Sequence, residues 1–427
     1  MMIVDTALQQ RAKENKPIRV GLVGAGFAAR GFAAQLIEGT PGLRLVAICN
    51  RTLSYAEQAY TDMGISSFEV VKDKEAFQKA VQDKKDVITT DPTLLCESDE
   101  VDVIVEATGS IDYGAKVVMD AIKHKKHVVL INAELDTTLG PILKHYADEA
   151  GVVYTQADGD QPAVLMNLLR YVQFLGFKPK VLGNIKSLLD HKRTPETQKG
   201  WADAHFQRPV MVTSFADGTK ISYEMATLAN ATGFGVGTRG MYGPKTDRVE
   251  HAPKVFTDEM IGNGIVDYVI GAEPSFGVFV LATTDNPIKK RYMQVYKMTE
   301  GPLYTFYVPY HLSPLEAPLS VARAALFADS ALTPKGYTCD VVAVTKKALK
   351  KGEVLDGIGG FCCYGDIDNT STMQQENLIP MGLIEGCMLK KDLPEGYAIS
   401  YDDVIIPEGR MSDALKKEQN ELMKGTK

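Results

Sequence analysis

Ile18-Arg-Val-Gly-Leu-Val-Gly-Ala-Gly-Phe-Ala-Ala29 decides the fold. It reads as a buried strand, then Gly24-x-Gly26-x-x-Ala29, then a helix. Gly24 permits a tight turn, Gly26 lets backbone approach a pyrophosphate, and the small Ala29 lets helix and strand pack closely. Phe27 and Ala28 open the helix, whose amino end faces the phosphates. The pattern is weak alone, but an apolar β-rich run precedes it and a second strand follows, which is the context it requires.

That second strand, Leu43-Arg-Leu-Val-Ala-Ile-Cys49, ends in Asn50-Arg51-Thr52. A carboxylate for the ribose 2′-hydroxyl is usual about 20 residues past the glycines. None stands here. Arg51 offers a guanidinium and Thr52 a hydroxyl, both suited to a 2′-phosphate. The expectation is NADP(H) in preference to NAD(H), against the alternative that Arg51 is an ordinary solvated arginine.

Beyond it, Val101-Asp-Val-Ile-Val-Glu-Ala-Thr-Gly109 is a third strand, and its Thr108-Gly109 turn lies where the nicotinamide half passes. A helix (115–124), strand His127 to Asn132, a helix from about Gly140 to Ala150 and strand Gly151 to Thr155 follow. Strands alternating with helices demand a parallel sheet. The stretch between Asp73 and Ser98 reads as an extra helix and loop.

After Asp158 the pattern changes to an open α+β domain. A helix (163–175) leads to strand Lys180 to Ile185. Met211 to Phe215 and Lys220 to Glu224 read as period-2 strands, with a helix at Met225 to Ala231. Strands Ile265 to Ile270 and Val278 to Thr283 follow, then a helix from about Leu315 to Phe327 that returns to the first domain. Short strands and turns begin near Tyr337, and Ser412 to Lys427 reads as a charged helix or frayed end. The expected domains are a Rossmann dinucleotide-binding domain at 1–158, an α+β catalytic domain at 159–336 and a small β domain with tail at 337–427.

With 427 residues, the chain exceeds one compact core. Its net charge of −7, with basic residues scattered, argues against nucleic acid and anionic membrane surfaces as partners. No apolar run spans a bilayer, and Met1 to Lys16 lacks the apolar core of a signal peptide, reading instead as a short amphipathic helix. The six cysteines show no Cys-x-x-Cys spacing, so reduced thiols in the cytoplasm are expected.

Several segments carry candidate chemistry. Asn132-Ala-Glu134 follows a strand at the edge where an open sheet binds ligands. Asn132 is a candidate for the nicotinamide ribose or carboxamide, and Glu134 for substrate, a metal or a proton; a helix-capping turn explains both as well. Asp158-Gly159-Asp160-Gln161-Pro162 opens a helix between domains, and its carboxylates suit a divalent metal, a shared proton or helix caps. Candidate metal residues are thus Asp158, Asp160 and Glu134. Gly183 to Arg193 concentrates proton carriers and anion binders: Lys186 is a candidate for the substrate oxygen, and Lys192 and Arg193 for a substrate phosphate. A basic surface loop is the plainer reading. Gly240-Met-Tyr-Gly-Pro-Lys245 is a second phosphate candidate. Tyr310-His311-Leu-Ser-Pro-Leu-Glu316 brings an imidazole and a carboxylate together, so His311 and Glu316 join Lys186 and Asp160 as catalytic candidates; a satisfied structural histidine is the commoner outcome.

At these segments the chain resembles the homoserine dehydrogenase-like oxidoreductases with a C-terminal SAF domain, nearest the branch that converts 1-deoxy-D-xylulose 5-phosphate to 2-C-methyl-D-erythritol 4-phosphate. Matching stretches are Val20 to Ala29, Asp102 to Gly109, Gly159-Asp-x-Pro162, Gly183-x-x-Lys186, Glu224-Met-Ala, Ala229-Asn-Ala-Thr-Gly233, Gly240-Met-x-Gly-Pro244, Gly264-x-Val-Asp-Tyr-x-Ile-Gly271 and Pro309-Tyr-His-Leu-x-x-Leu-Glu316. Lys390 to Gly396 with Ile399 to Val404 resembles the SAF β-clip. Ala133-Glu134 stands where homoserine dehydrogenases carry Asn-Lys, and Ser187-Leu188-Leu189 where the reductoisomerase-like branch carries Asn-Asn-Pro. The resemblance implies an NADP(H)-dependent oxidoreductase acting on a small polar, phosphorylated carbonyl or polyol, as a homodimer or homotetramer. A homoserine-type alcohol dehydrogenase and a non-catalytic NADP sensor or scaffold are the alternatives.

Overall fold

A computed structural model describes residues 2–424. In chain order the elements are α1 (Met2–Lys13), β1 (Ile18–Val23), α2 (Phe27–Ile37), β2 (Leu43–Cys49), α3 (Leu53–Thr61), β3 (Glu69–Val70), α4 (Lys74–Gln82), β4 (Val87–Thr89), α5 (Thr93–Glu97), β5 (Val103–Glu106), α6 (Ile111–Lys123), β6 (His127–Leu130), α7 (Ala133–Ala150), β7 (Tyr154–Gln156) and α8 (Gln161–Phe174). Then come β8 (Lys178–Lys186), α9 (Pro195–Ala204), α10 (Pro209–Ala216), α11 (Thr219–Thr232), α12 (Asp258–Ile261), β9 (Ile265–Ile270), β10 (Gly277–Thr283), α13 (Pro287–Val295), β11 (Leu303–Val308) and α14 (Ser313–Phe327). The chain closes with β12 (Cys339–Thr345), β13 (Cys363–Asn369), α15 (Thr370–Gln375), β14 (Met388–Leu389), β15 (Val404–Ile405) and α16 (Met411–Leu422). Two compact units result: residues 2–163, 312–333 and 414–422 form the first, and residues 164–311, 334–413 and 423–424 the second.

The first unit holds a seven-stranded sheet in the order β3-β4-β2-β1-β5-β6-β7. Every pairing in it is parallel, as strand–helix alternation demands. The order reverses at β1, flanked by β2 and β5, and the crevice beyond the carboxyl ends there is where such sheets take ligands. Val20 and Leu22 of β1, Ala29 and Phe32 of α2, and Ala317, Val321 and Ala322 of α14 share one core.

Two expectations about this unit need correction. The stretch from 73 to 98 is not only helix and loop: Val87–Thr89 adds a strand paired with β2. Three residues are too few to show a period, so composition hid it. The helix expected from about Gly140 starts at Ala133, because the Asn132 side chain caps it from outside and Pro141 lies within it. Of the two readings of the C-terminal stretch, the structure has the charged helix, with Lys416 and Gln419 buried within the first unit.

In the second unit a mixed sheet runs β11-β10-β8-β9, with β8 parallel to β9 and antiparallel to β10. One core joins β8, β9 and β10 to a 3-10 turn at Val249–Lys254, through Val181, Val249, Phe256 and Phe279. Met211 to Phe215 and Lys220 to Glu224 are helical, not strands. Pro209 sits in the first turn of α10, where its missing N–H costs nothing. Helix α11 is buried on all sides, so its sequence shows no 3.6-residue stripe and short alternations mislead. Residues 339–405 form small antiparallel pairs, β12 with β13 and β14 with β15. All six cysteines are buried and unpaired. No helix among the described residues is long and apolar enough to cross a membrane.

Candidate active site

The glycine turn follows β1 as its sequence implies. Gly24 has φ +113°, and a Cβ there would sit 2.4 Å from the Ala107 carbonyl oxygen, so only glycine serves. Gly26 is the amino-terminal cap of α2 with no side-chain bond to the helix, and a Cβ there would meet no atom within 4 Å. The first N–H groups of α2 therefore face open space that suits a pyrophosphate. Phe27 is exposed, Ala28 half-buried and Ala29 buried in the core.

At the end of β2, Asn50 donates from its backbone to Thr89 and from its side chain to the Thr52 carbonyl. Thr52 caps α3. Arg51 is exposed and lies 5.4 Å over the Tyr113 ring, a cation–π contact. Burial pushes the Tyr113 hydroxyl up to about 12, with Cys49 adding to the rise and Arg51 opposing it. The Asp91 carboxylate, just past β4, accepts from the Thr93 N–H and hydroxyl. Sequence reasoning passed over both Tyr113 and Asp91. Only the insertion of β4 beside β2 brings Asp91 to this edge.

Glu106 closes β5 and is fully buried. It accepts from the Thr108 backbone at 2.8 Å, from the Thr108 hydroxyl and from Asn132 Nδ2 at 3.0 Å. Burial holds its carboxyl above the usual range, with those hydrogen bonds pulling the other way. A lone carboxylate in an apolar strand was the signal for Glu106, and it was missed. Asn132 Oδ1 accepts from the Leu135 N–H, so its amide both caps α7 and ties it to β5. Glu134, in the first turn of α7, is 6% exposed, and Asp136 accepts from Tyr154 at 2.7 Å. Gly109 is exposed beside Thr108.

Beyond β7, Asp158 is buried against the Arg323 guanidinium at 3.2 Å and the Ser320 hydroxyl at 2.9 Å. Asp160 accepts from the Gln161 N–H that opens α8. Glu316 accepts from the Leu312 N–H, bonding back across the first turn of α14. Burial first, and then Asp158, raise its carboxyl. A Cβ on Gly159 would lie 2.8 Å from that of Glu316, so the two turns pack tightly. No group of three or more His, Cys, Asp and Glu arranged to hold a metal occurs among the described residues. Asp158, Asp160 and Glu134 are each set in these local frameworks.

In the second unit Lys186 ends β8 with its side chain 16% exposed, and its Nζ lies 3.9 Å from a Glu224 carboxylate oxygen on α11. Asn184, two residues earlier on the same strand, is fully buried. Asp267 of β9 is buried and accepts from the N–H groups of Tyr242, Gly243 and Tyr268, which fixes the 240–245 loop. Burial pushes its carboxyl up to about 6 against those bonds. Lys245 has no ion-pair partner among the described residues. Lys192 pairs with Glu395 at 2.9 Å and Arg193 with Asp190 at 3.0 Å, so both cations are already engaged. His191 Nδ1 donates to the Asp217 carbonyl and its ring stacks on Tyr364. His311 stacks on Phe276 at 4.3 Å. The predicted catalytic residues thus fall into two sets: Asp160 with Glu316 in the first unit, and Lys186 and His311 in the second.

Residues 24–155 match the family described as homoserine dehydrogenase, NAD binding domain. Residues 159–317 match oxidoreductase DRL, catalytic domain. A homoserine dehydrogenase of Bacillus subtilis (strain 168) is 29% identical over 143 residues, which is 33% of this chain and 30% of that protein. The match therefore spans about a third of either length. Among solved structures, a homoserine dehydrogenase from Thiobacillus denitrificans superposes with TM-score 0.44 at 16% identity, covering 78% of this chain and 83% of the other. A levoglucosan dehydrogenase, in complex with NADH and L-sorbose, gives 0.41 at 12% identity over 73% and 90%. By its two family matches the chain joins a homoserine dehydrogenase-type NAD-binding domain to an oxidoreductase DRL catalytic domain, the make-up of an NAD(P)-dependent oxidoreductase.

Proposed function

We propose that this chain moves a hydride between NADP(H) and a carbonyl or alcohol carbon of a small polar molecule. The observation that carries the choice of NADP(H) is Arg51, held over Tyr113, with Asn50-Arg51-Thr52 and no acid in the sequence that ends β2. When bound, the dinucleotide supplies or takes the hydride. The residues do the rest. The N–H groups beginning α2 hold the pyrophosphate, Arg51 and Thr52 hold the 2′-phosphate, and Thr108, Gly109 and the Asn132–Glu134 turn border the nicotinamide half. Lys186 holds or passes the proton on the substrate oxygen, with Glu224 fixing its ammonium. Asp160, His311 and Glu316 assist, and a divalent metal joins only if substrate recruits it.

Substrate phosphate is proposed at Lys245 rather than at Lys192 or Arg193, since those two already face carboxylates. Residues 339–405 are assigned to an SAF-like module, supported by their short antiparallel pairs. A cytoplasmic location, supported by six buried free thiols, and the homo-oligomeric state that the family resemblance implies complete the proposal. NADPH oxidation against ketose phosphates, unphosphorylated polyol-derived aldehydes and aspartate semialdehyde tests the reading. Turnover of a ketose or aldose phosphate is expected. Turnover of aspartate semialdehyde alone would return the chain to homoserine chemistry. Tight NADPH binding with no turnover on any compound would make it a sensor.

A further inference from the structure

Helix α7 contains a defect, and the C-terminal helix repairs it. Pro141 has no N–H to give the Thr137 carbonyl, and its ring crowds that turn. The next backbone pair, Ile142 N–H and Thr138 C=O, is bridged from outside. The Gln419 side chain accepts from the Ile142 N–H at 3.2 Å and donates to the Thr138 carbonyl at 3.2 Å. One primary amide thus bonds both groups of that pair. Lys416, one turn earlier on α16, donates to the same carbonyl at 2.8 Å. Gln419 is fully buried and Lys416 is 2% exposed, so water cannot replace them. Tyr146, past Pro141, donates to Glu418.

The half of α7 before Pro141 carries Asn132 at its cap, Glu134 and Asp136. Its amino end is tied to β5 by the Asn132–Glu106 bond. At Pro141, where one backbone donor is lost, it is tied by Gln419 and Lys416. We propose that Gln419, supported by Lys416, is a positioning residue for the nicotinamide border of the dinucleotide edge. Residues 414–422 are then part of that site's framework and not a tail. The inference rests on the reading of Asn132–Glu134 given above, but its geometry does not depend on the substrate.

The test uses the full chain as wild type, Gln419→Leu, Pro141→Ala and the double variant. Hydrogen exchange is read over residues 133–142, and bound NADPH is read by its dissociation constant and its nicotinamide fluorescence. In Gln419→Leu, exchange is expected to quicken by about tenfold or more, because a buried pair loses its partner. Nicotinamide emission should change while the dissociation constant, set by Gly24, Gly26 and Arg51, holds. Pro141→Ala lets the helix close its own bond, so the double variant should behave like Pro141→Ala alone. Unchanged exchange in Gln419→Leu overturns the bridge. Faster exchange with unaltered emission overturns the positioning role, leaving a structural one. An equal effect of Gln419→Leu in both backgrounds shows that Pro141 is not the cause and also overturns it. If Gln419→Leu does not fold, Gln419→Glu, which keeps the acceptor for Ile142 and loses the donor, is read by the same criteria. A wild type that binds no NADPH sinks the proposed function instead, and exchange alone then judges the bridge.

Discussion

The glycine turn after β1 and the Lys186 region of β8, the two proposed recognition sites, are built by opposite means. In the first, backbone makes the site: Gly24 is fixed by its φ and by the Ala107 carbonyl, and a helix end with no side-chain cap follows it. In the second, side chains do it: a lysine at a strand end, its partner Glu224 on a buried helix, and Asp267 locking the adjacent loop. Backbone sites are written in local sequence, because a turn needs particular residues at fixed offsets. Side-chain sites are assembled from distant segments, so their members are visible one at a time and their pairing is not.

Four variants sharpen that contrast. The largest effect is expected from Lys186→Ala, which should cut turnover about a thousandfold, within the range for losing a proton-transfer group, while leaving NADPH affinity intact. Steady-state kinetics beside a binding titration checks it, and retained turnover places the proton elsewhere. Gly24→Ala should weaken every dinucleotide about a hundredfold, since the turn must shift to relieve the clash. Isothermal titration with NADPH and NADH reads this, and equal affinity to wild type would mean that the turn does not hold pyrophosphate. Arg51→Ala should cost about tenfold in NADPH affinity, the worth of a charge-assisted hydrogen bond, and almost nothing for NADH. Equal weakening of both cofactors refutes the 2′-phosphate role.

The smallest effect is on stability. The Asp267 carboxyl titrates near 3.8 when unfolded and at about 6 when folded, because burial disfavours its charged form. Below the lower value both states are protonated and Asp267 adds no pH dependence. Between the two, the unfolded chain loses the proton first, so stability falls as pH rises, and above about 6 the full cost of up to about 3 kcal/mol is present. Asp267→Asn should flatten the fall in melting temperature that Asp267 causes between those values. An unaltered pH profile would assign the fall to other groups.

Most of the first unit was legible. Its β1, β2, β5 and β6 strands are continuous apolar runs bounded by turns, and the glycines fix register at the switch point. What escaped was short or buried. Strand β4 has three residues and shows no period. Helix α11 is enclosed on all faces, so Ile221, Tyr223 and Met225 alternate as a strand would. Glu106 hid because one acid in an apolar strand looks like an exception until Thr108 and Asn132 are seen on it. Lys186 was singled out from its segment, but Glu224, 38 positions away (224 − 186), could be paired with it only in three dimensions. Gln419 carried no signal, since glutamine in a charged helix reads as surface.

The first unit is stitched from three separated stretches of chain, ending at residue 422. During synthesis the parallel sheet leaves the ribosome early, yet its covering helix α14 arrives more than 150 residues after β7, and the Gln419 bridge later still. The nascent sheet must therefore wait with apolar surface uncovered, the situation that holding chaperones serve. Shortening the chain from its carboxyl end would leave that early half permanently unfinished.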